Sequence, residues 1–241
     1  MKRLFDFITS LIGLIILSPV LLVFLFLVWI QDLHSPFYIA PRVGRNGKMF
    51  QMIKVRSMII RADTSGVDST AADDNRITRV GAIIRRYKID ELSQLINVLI
   101  GDMSLVGPRP NVQADVDLYT DEERGLLLVR PGITDFSSIV FSDEGEILRG
   151  SDDPDLRYNQ VIRPWKSRLG LLYIQNSSLV LDVRLILITV MAIVSKQSAL
   201  LSIGAILRKL KAEESLIQTA ARETPLEPFP PPGETEIVTR R

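Results

Sequence analysis

The chain has 241 residues, enough for one medium-sized domain with appendages. Its formal net charge of +1 provides no strong field for a nucleic acid partner, and the lack of cysteine excludes a disulfide framework and thiolate chemistry. The hydrophobic fraction is 46%, and much of it lies in one N-terminal block.

The N-terminal block predicts a membrane segment over residues 1–34. Its uncharged part, residues 7–30, is long enough to cross a bilayer as a helix. A signal peptide would have a shorter apolar core and a small-residue cleavage site, and none follows this run. Pro19 removes a helix hydrogen bond and should bend the helix, while the Ser18 hydroxyl can satisfy the freed carbonyl.

Basic residues lie on both sides of this segment, with Lys2 and Arg3 before it and Arg42 and Arg45 after it. They give no clear orientation for a spanning helix. A re-entrant helix would enter and leave the same leaflet and place both flanks in the cytoplasm. We favour the re-entrant helix, although the residues alone leave a plain transmembrane span open.

A short hairpin is predicted next, because Asn46-Gly47 is a typical turn between two extended segments. Lys54 and Arg56 alternate with apolar residues at the end of the second segment. They belong either to a solvated strand face or to a functional site. The polar residues 60–79 predict a surface loop.

The stretch from residue 88 to 110, KIDELSQLINVLIGDMSLVGPRP, holds the candidate chemistry. Its apolar residues recur at helical spacing, so one helix face should be buried, and Asp90, Gln94 and Asn97 fall on another face. The helix should end near Gly101.

Two adjacent acids, Asp90 and Glu91, stand at the start of this helix. Favourable interaction with the helix macrodipole would by itself explain acids there. However, Arg85 and Arg86 precede the pair, and a stiff Gly/Pro loop holding Arg109 follows it. Acids ringed by bases are typical of a site for an anionic, metal-bound substrate.

The C-terminal half is expected to be mainly helical. The sequence predicts a polar helix at 111–130, a strand at 133–140, an acidic loop at 142–154, a helix at 156–176 interrupted at Arg163-Pro164, and an apolar helix at 178–194. Asp182 in the last of these is costly unless paired or metal-bound. It is therefore either a site residue or the partner of Arg184 or another base.

The last two segments are predicted to lie outside the catalytic domain. Residues 199–223 have the pattern of an amphipathic helix on an anionic bilayer surface, with ordinary packing on the domain as the alternative. Residues 224–241 are rich in proline and predict a disordered tail, whose removal should change activity only a few-fold.

Taken together, these stretches resemble the bacterial sugar transferases, small monotopic phosphoglycosyl transferases that begin glycoconjugate assembly on polyprenyl phosphate. The matching stretches run in family order over about residues 2–189. They are KRLFDFITS with the later Ser18-Pro19, PRVGRNGKMFQMIKVRSM, RITRVGAIIRRYKIDELSQLINVLIGDMSLVGPRP, RPGIT and YIQNSSLVLDVRLILIT.

The resemblance implies an α/β, mostly α, catalytic domain at residues 35–198. The domain would lie on the cytoplasmic face of the bacterial inner membrane, with a re-entrant N-terminal helix and amphipathic interfacial helices. The implied reaction moves a sugar 1-phosphate from a UDP-sugar to undecaprenyl phosphate and releases UMP. It is the first membrane step of glycoconjugate or exopolysaccharide synthesis.

The resemblance also implies roles for individual residues. Asp90 would be the nucleophile that forms a covalent aspartyl-phosphosugar, and Glu91 with Mg²⁺ would complete the centre, both acids contacting the metal. The remaining implied or candidate substrate-binding residues are Lys54, Arg56, Arg85, Arg86, Arg109 and Asp182.

The chain departs from the family pattern at residues 135–138, which read DFSS, and in the FSDEGEIL stretch that follows. No sugar preference is therefore carried over. A catalytically silent membrane scaffold and a single-span protein facing the periplasm are the alternative hypotheses, and the sequence leaves a homo-oligomer open.

Overall fold

The computed structural model of the protein describes residues 1–62, 66–67 and 69–239. The described part is mainly helical with small sheets, in agreement with the expected fold class. The strands are β1 (Phe37–Val43), β2 (Met49–Val55), β3 (Ser104–Val106) and β4 (Gly132–Thr134). The helices are α1 (Lys2–Asp32), α2 (Arg79–Arg86), α3 (Gln94–Ile100), α4 (Gln113–Asp117), α5 (Phe136–Val140), α6 (Glu144–Leu148), α7 (Pro154–Arg157), α8 (Arg163–Gln175), α9 (Leu179–Val194), α10 (Lys196–Lys209) and α11 (Glu214–Ala221).

Strands β1 and β2 form the predicted antiparallel hairpin, in which Tyr38 lies opposite Lys54. A short 3-10 turn joins the strands, and Asn46 and Gly47 adopt φ values of 57° and 74° there. Asn and Gly tolerate this left-handed region best, which is why their pairing marks the turn.

Strands β3 and β4 form a parallel pair next to the main core. The predicted strand at 133–140 is wrong beyond Thr134. Asp135 stops the strand because its carboxylate accepts the Ser138 N–H at 2.8 Å and caps α5. The expected acidic loop at 142–154 contains α6, and the expected helix at 111–130 is reduced to α4 and a 3-10 segment, Glu123–Leu128.

The C-terminal helices pack on the domain. The single amphipathic helix expected at 199–223 is two helices, α10 and α11, separated by a turn in which Lys211 has φ 56°. Ile203 and Leu207 on α10 and Ile217 on α11 are buried in the main core. Much of the apolar face that predicted a bilayer contact therefore stabilises the protein interior.

Helix α1 runs through Pro19 without interruption, and the described residues include no other helix that is long and apolar enough to cross a membrane. Because proline has no N–H, the carbonyl of Ile15 loses its usual donor four residues later. The Ser18 hydroxyl donates to that carbonyl at 2.8 Å, as expected from the sequence.

The outer face of α1 exposes a large apolar surface. Its exposed residues include Phe7, Ile8, Ile12, Ile15, Ile16, Leu22, Val23, Phe26, Trp29 and Ile30. A second exposed apolar set lies on α9 and includes Val180, Leu187, Val190 and Val194. Surfaces of this extent mark contact with a membrane or a partner.

The polar groups at the start of α1 attach it to the domain. Lys2 Nζ lies 2.6 Å from the buried carboxylate of Asp182, and Arg3 donates to the carbonyl of Leu99 at 2.7 Å. The Tyr173 hydroxyl also donates to Asp182, at 2.6 Å. These contacts hold the first turn of α1 against α3, α8 and α9.

Candidate active site

A cavity of about 1220 Å³ opens between β2, the segment 88–91, the loop after β3, and the helices α5, α6 and α8. Single ligand sites usually occupy about 300–1,000 Å³, so this one has room for a large or composite ligand. Most of the candidate residues line it, namely Lys54, Arg56, Arg85, Arg86, Asp90, Glu91 and Arg109.

Asp90 lies in a 3-10 turn, Ile89–Glu91, rather than in the first turn of the following α-helix. The residue is only 6% exposed. Lys54 Nζ lies 3.6 Å from Asp90 Oδ2, whereas Oδ1 is buried and accepts no hydrogen bond from any described residue. Burying a carboxylate oxygen without a donor is costly, and this makes Asp90 a candidate functional residue.

Two polar side chains fix Asp90 relative to β2. Asn97 accepts the N–H of Ile53 at 2.9 Å, and the Ser93 hydroxyl donates to the Ile53 carbonyl at 3.0 Å. Asp90, Gln94 and Asn97 are all buried, and the polar side chain of Asn97 pairs with backbone groups of this strand. The same contacts bring Lys54 beside Asp90.

Arg109 completes an ion pair across the cavity, with Nη2 2.9 Å from Glu91 Oε1. Its Nη1 also donates to the carbonyl of Ile133, at 3.2 Å. The loop that holds Arg109 lies against β4 because Gly107 and Gly132 approach closely: a Cβ on Gly132 would lie 2.1 Å from the Gly107 nitrogen. Side chains at either position would displace Arg109.

The charges of the cavity favour the ionised forms of Glu91 and Arg109. Burial would raise the pKa of the Glu91 carboxyl, but the charges of Arg109, Lys88 and Lys54 outweigh it and lower the pKa to about 2. Burial would lower the pKa of Arg109, but Glu91 more than offsets this and raises it. Burial lowers the pKa of Lys54, although Asp90 opposes the shift.

The other predicted bases have different surroundings. Arg56 pairs with Asp32 at the end of α1, with Nη2 2.7 Å from Oδ1, and its Nε donates to the Ser35 carbonyl at 2.9 Å. Its guanidinium therefore attaches the end of α1 to the cavity wall. Arg85 and Arg86 lie on α2 at the cavity edge.

Asp182 is not among the described residues that line the cavity. It is 1% exposed and pairs with Lys2 rather than with Arg184. This arrangement is the structural ion pair that the sequence offered as an alternative, with a partner from the opposite end of the chain. Its position gives no support to a substrate-binding role.

The opposite wall of the cavity carries charged residues that the sequence did not single out. Lys166 Nζ on α8 forms an ion pair with Glu144 on α6 and lies 5.2 Å from the centre of the Tyr158 ring. Burial alone would raise the pKa of Glu144, but the nearby positive charges, that of Lys166 above all, together have the larger effect, so the pKa of Glu144 is lowered. Asp135 lines the same wall, and burial raises its pKa. The sequence signals here were the departures from the family pattern at residues 135–138 and in the FSDEGEIL stretch that follows.

The arrangement suits transfer of a phosphate-bearing group. A carboxylate oxygen without a hydrogen-bond donor is available as a nucleophile, and buried lysine and arginine groups can stabilise negative charge that develops beside it. Phosphoryl transfer requires mainly such positioning and charge stabilisation.

Comparison with known proteins agrees with this chemistry. The exopolysaccharide production protein PSS of Rhizobium leguminosarum bv. phaseoli is 37% identical over 203 residues, or 80% of this chain and 94% of that protein. A Bacillus subtilis protein with the provisional name undecaprenyl-phosphate N-acetylgalactosaminyl 1-phosphate transferase is 44% identical over 124 residues, or 52% of this chain and 69% of that protein.

A third relative is the undecaprenyl-phosphate galactose phosphotransferase of Salmonella typhimurium. It is 40% identical over 149 residues, which cover 56% of this chain and 31% of that protein. The family model described as bacterial sugar transferase matches residues 1–196. The chain therefore belongs to the bacterial sugar transferase family and is a membrane-associated transferase.

Proposed function

We propose that the cavity transfers a sugar 1-phosphate from a UDP-sugar to undecaprenyl phosphate and releases UMP. The observation that carries the proposal is Asp90, which lines the cavity together with Lys54 and Arg109 and whose buried Oδ1 has no donor among the described residues. The names of the relatives support the lipid phosphate and the sugar 1-phosphate.

In the first step, an Asp90 carboxylate oxygen attacks the phosphorus that bears the sugar. The bond from this phosphorus to the bridging oxygen breaks, and UMP leaves with that oxygen and its electron pair. In the second step, an oxygen of undecaprenyl phosphate attacks the same phosphorus. The Asp90–phosphorus bond breaks, which forms the lipid diphosphate sugar and restores the carboxylate.

The ionised groups around Asp90 have matching roles. Lys54 and Arg109 stabilise charge on the phosphate oxygens, and Glu91 orients Arg109 through their ion pair. The low pKa of Glu91, about 2, keeps its carboxylate charged at neutral pH and so available to pair with Arg109.

The same residues fit a divalent metal shared with the substrate. The described residues contain no group of three or more His, Cys, Asp or Glu suited to a metal, so an all-protein cage is not formed there. Mg²⁺ commonly uses one or two carboxylates plus substrate phosphates, and Asp90 with its free Oδ1 and the neighbouring Glu91 match that set. When bound, Mg²⁺ would neutralise charge on the diphosphate.

Release of UMP by the purified protein tests the proposal. We expect UMP from at least one of UDP-N-acetylgalactosamine, UDP-galactose and UDP-glucose when undecaprenyl phosphate and Mg²⁺ are present. The control is Arg109→Met, which removes one of the two bases expected to stabilise the phosphates and should lower the rate by about 10²-fold or more. A native protein that binds these donors without releasing UMP would instead support the scaffold hypothesis.

We also propose that α1 is re-entrant and that the domain faces the cytoplasm. The start of α1 pairs with Asp182 and its end pairs with Arg56, so both ends contact the same domain. A helix of 31 residues extends about 46 Å, so a perpendicular span would separate its ends by more than the hydrocarbon thickness of about 30 Å. The contacts at both ends support an arrangement that does not cross the bilayer.

Labelling of introduced cysteines tests this topology, because the chain has none of its own. Single cysteines placed before Met1 and at Ser35 should both be protected in intact cells from a reagent that cannot cross the inner membrane, like the control Glu214→Cys. Pro19→Leu restores the donor for the Ile15 carbonyl and should expose one end in part of the population. Labelling of only one end in the native protein would contradict the proposal.

A further inference from the structure

The C-terminal segment, residues 224–239, lies beyond the family match, which ends at residue 196. The sequence predicts that it is disordered. In the structure it has no helix or strand, but it follows the outer side of α8 and of the preceding π-helical turn, Tyr158–Ile162. Its prolines prevent regular structure without preventing contact, and Pro231 and Pro232 are buried.

The first contact joins the segment to a backbone carbonyl of the π-helical turn. The carbonyl of Gln160 would normally accept a hydrogen bond from residue 164, which is a proline and has no N–H. The N–H of Phe229 donates to this carbonyl at 2.9 Å. The Gln160 side chain in turn donates to the carbonyl of Val238 at 2.8 Å. One residue of the π-helical turn thus binds the segment at two points.

The second contact is an aromatic stack. The Phe229 ring lies 4.4 Å from the Trp165 ring at an interplanar angle of 27°, and the Arg168 guanidinium lies 4.9 Å from the Phe229 ring centre. Arg168 also donates to the Pro230 carbonyl at 2.9 Å. Stacked rings and a cation over an aromatic face each stabilise such contacts by about 0.5–1.5 kcal/mol.

Between residues 158 and 166, residues that contact the C-terminal segment alternate along the chain with residues that line the cavity. Tyr158 and Lys166 belong to the cavity wall, whereas Gln160 and Trp165 bind the C-terminal segment. The π-helical turn lacks the regular hydrogen-bond pattern that stiffens an α-helix, and such turns are frequent at functional sites. The segment adds two hydrogen bonds and a ring stack to this part of the chain from outside the helix.

We propose that Phe229 is a positioning residue that acts through the π-helical turn on Tyr158 and through the start of α8 on Lys166, and so sets how tightly the cavity holds its donor substrate. The inference rests on the proposed function, because it assigns the donor to this cavity. It concerns Tyr158 and Lys166 of the cavity wall and not the reacting carboxylate of Asp90. It also replaces the expectation that the segment is dispensable.

Kinetics of Phe229→Ala in the full-length protein test the proposal, with the fastest of the three UDP-sugars as donor. We expect the KM for the donor to rise about tenfold while kcat changes less than about threefold. The separate variant Phe229→Tyr keeps the aromatic ring and should have the native KM for the donor. The matched control is Ile237→Ala, which removes a 40% exposed apolar side chain of the same segment and should leave both constants unchanged.

Hydrogen exchange gives a readout that needs no substrate. In Phe229→Ala, amides of residues 158–166 should exchange about tenfold faster or more, while those of α3 should keep the native rate. Unchanged exchange at 158–166, or faster exchange with an unchanged KM, would overturn the inference. Absence of UMP release by the native protein would instead refute the proposed function, so the two failures are distinguishable.

Discussion

Asp90→Asn should abolish covalent labelling of the protein by a UDP-sugar that carries its label in the sugar. In the proposed mechanism the Asp90 carboxylate attacks before the lipid enters, so the native protein with Mg²⁺ and donor alone should acquire label and release UMP. An amide is a poor nucleophile, and turnover should fall by more than about 10³-fold. The fold should survive because Asn is nearly isosteric and the Lys54 contact, at 3.6 Å, is long.

Glu91→Gln is the matched control for this experiment. It removes the charge that pairs with Arg109 but leaves the nucleophile, so labelling should persist while turnover slows. Mass measurement of the intact protein shows whether one sugar phosphate is attached, and circular dichroism checks the fold of each variant. Labelling of Asp90→Asn, or a native enzyme that releases UMP only after lipid is added, would contradict the assignment of the nucleophile.

Arg163→Met should lower the free energy of unfolding by about 3–5 kcal/mol, the range for removing one partner of a buried ion pair. Arg163 Nε donates to Glu123 Oε1 at 3.0 Å, and the two side chains are 1% and 0% exposed. The Ser167 hydroxyl donates to the same oxygen at 2.6 Å. Without Arg163, the Glu123 carboxylate would remain buried with only neutral donors.

Two further variants make this result specific. The double variant Glu123→Leu, Arg163→Met removes both charges and should be more stable than Arg163→Met alone. Arg149→Ala breaks an exposed pair with Glu146 and should cost at most about 1 kcal/mol. Denaturant titration of the detergent-solubilised protein measures all three. A loss below about 1 kcal/mol in Arg163→Met would show that Glu123 finds another partner or is hydrated.

The local features of the fold were predictable from the sequence because short-range geometry controls them. Asn46-Gly47 determines the hairpin through its left-handed turn, and Gly101 ends α3 with φ 99°. The Ser18 hydroxyl satisfies the carbonyl freed by Pro19, as the three-residue spacing indicated. In each case the interacting groups are only a few residues apart, so the local sequence contains the necessary information.

The candidate site was predictable where its residues are close in the chain. Asp90, Glu91 and Arg109 lie within one stretch, and the density of opposite charges there marked the site without any knowledge of the fold. Helical periodicity placed Asn97 on the polar face of the helix, because it identifies which residues share a face but not what packs against that face. The adjacent strand β2 decides that this face is buried.

Only the tertiary structure brings together residues that are far apart in the chain. Lys2 meets Asp182 although they are 180 residues apart in the chain, and Lys166 meets Glu144 on a different helix. The carbonyl of Gln160 finds its donor in the C-terminal segment. Charge and hydrogen-bonding capacity are properties of single residues, whereas the choice of partner depends on how the helices pack. The sequence by itself therefore determined the local elements and the cluster of Asp90, Glu91 and Arg109. The packing of the helices decided which residues form the cavity wall around Lys166 and Glu144, and how both ends of the chain attach to the domain.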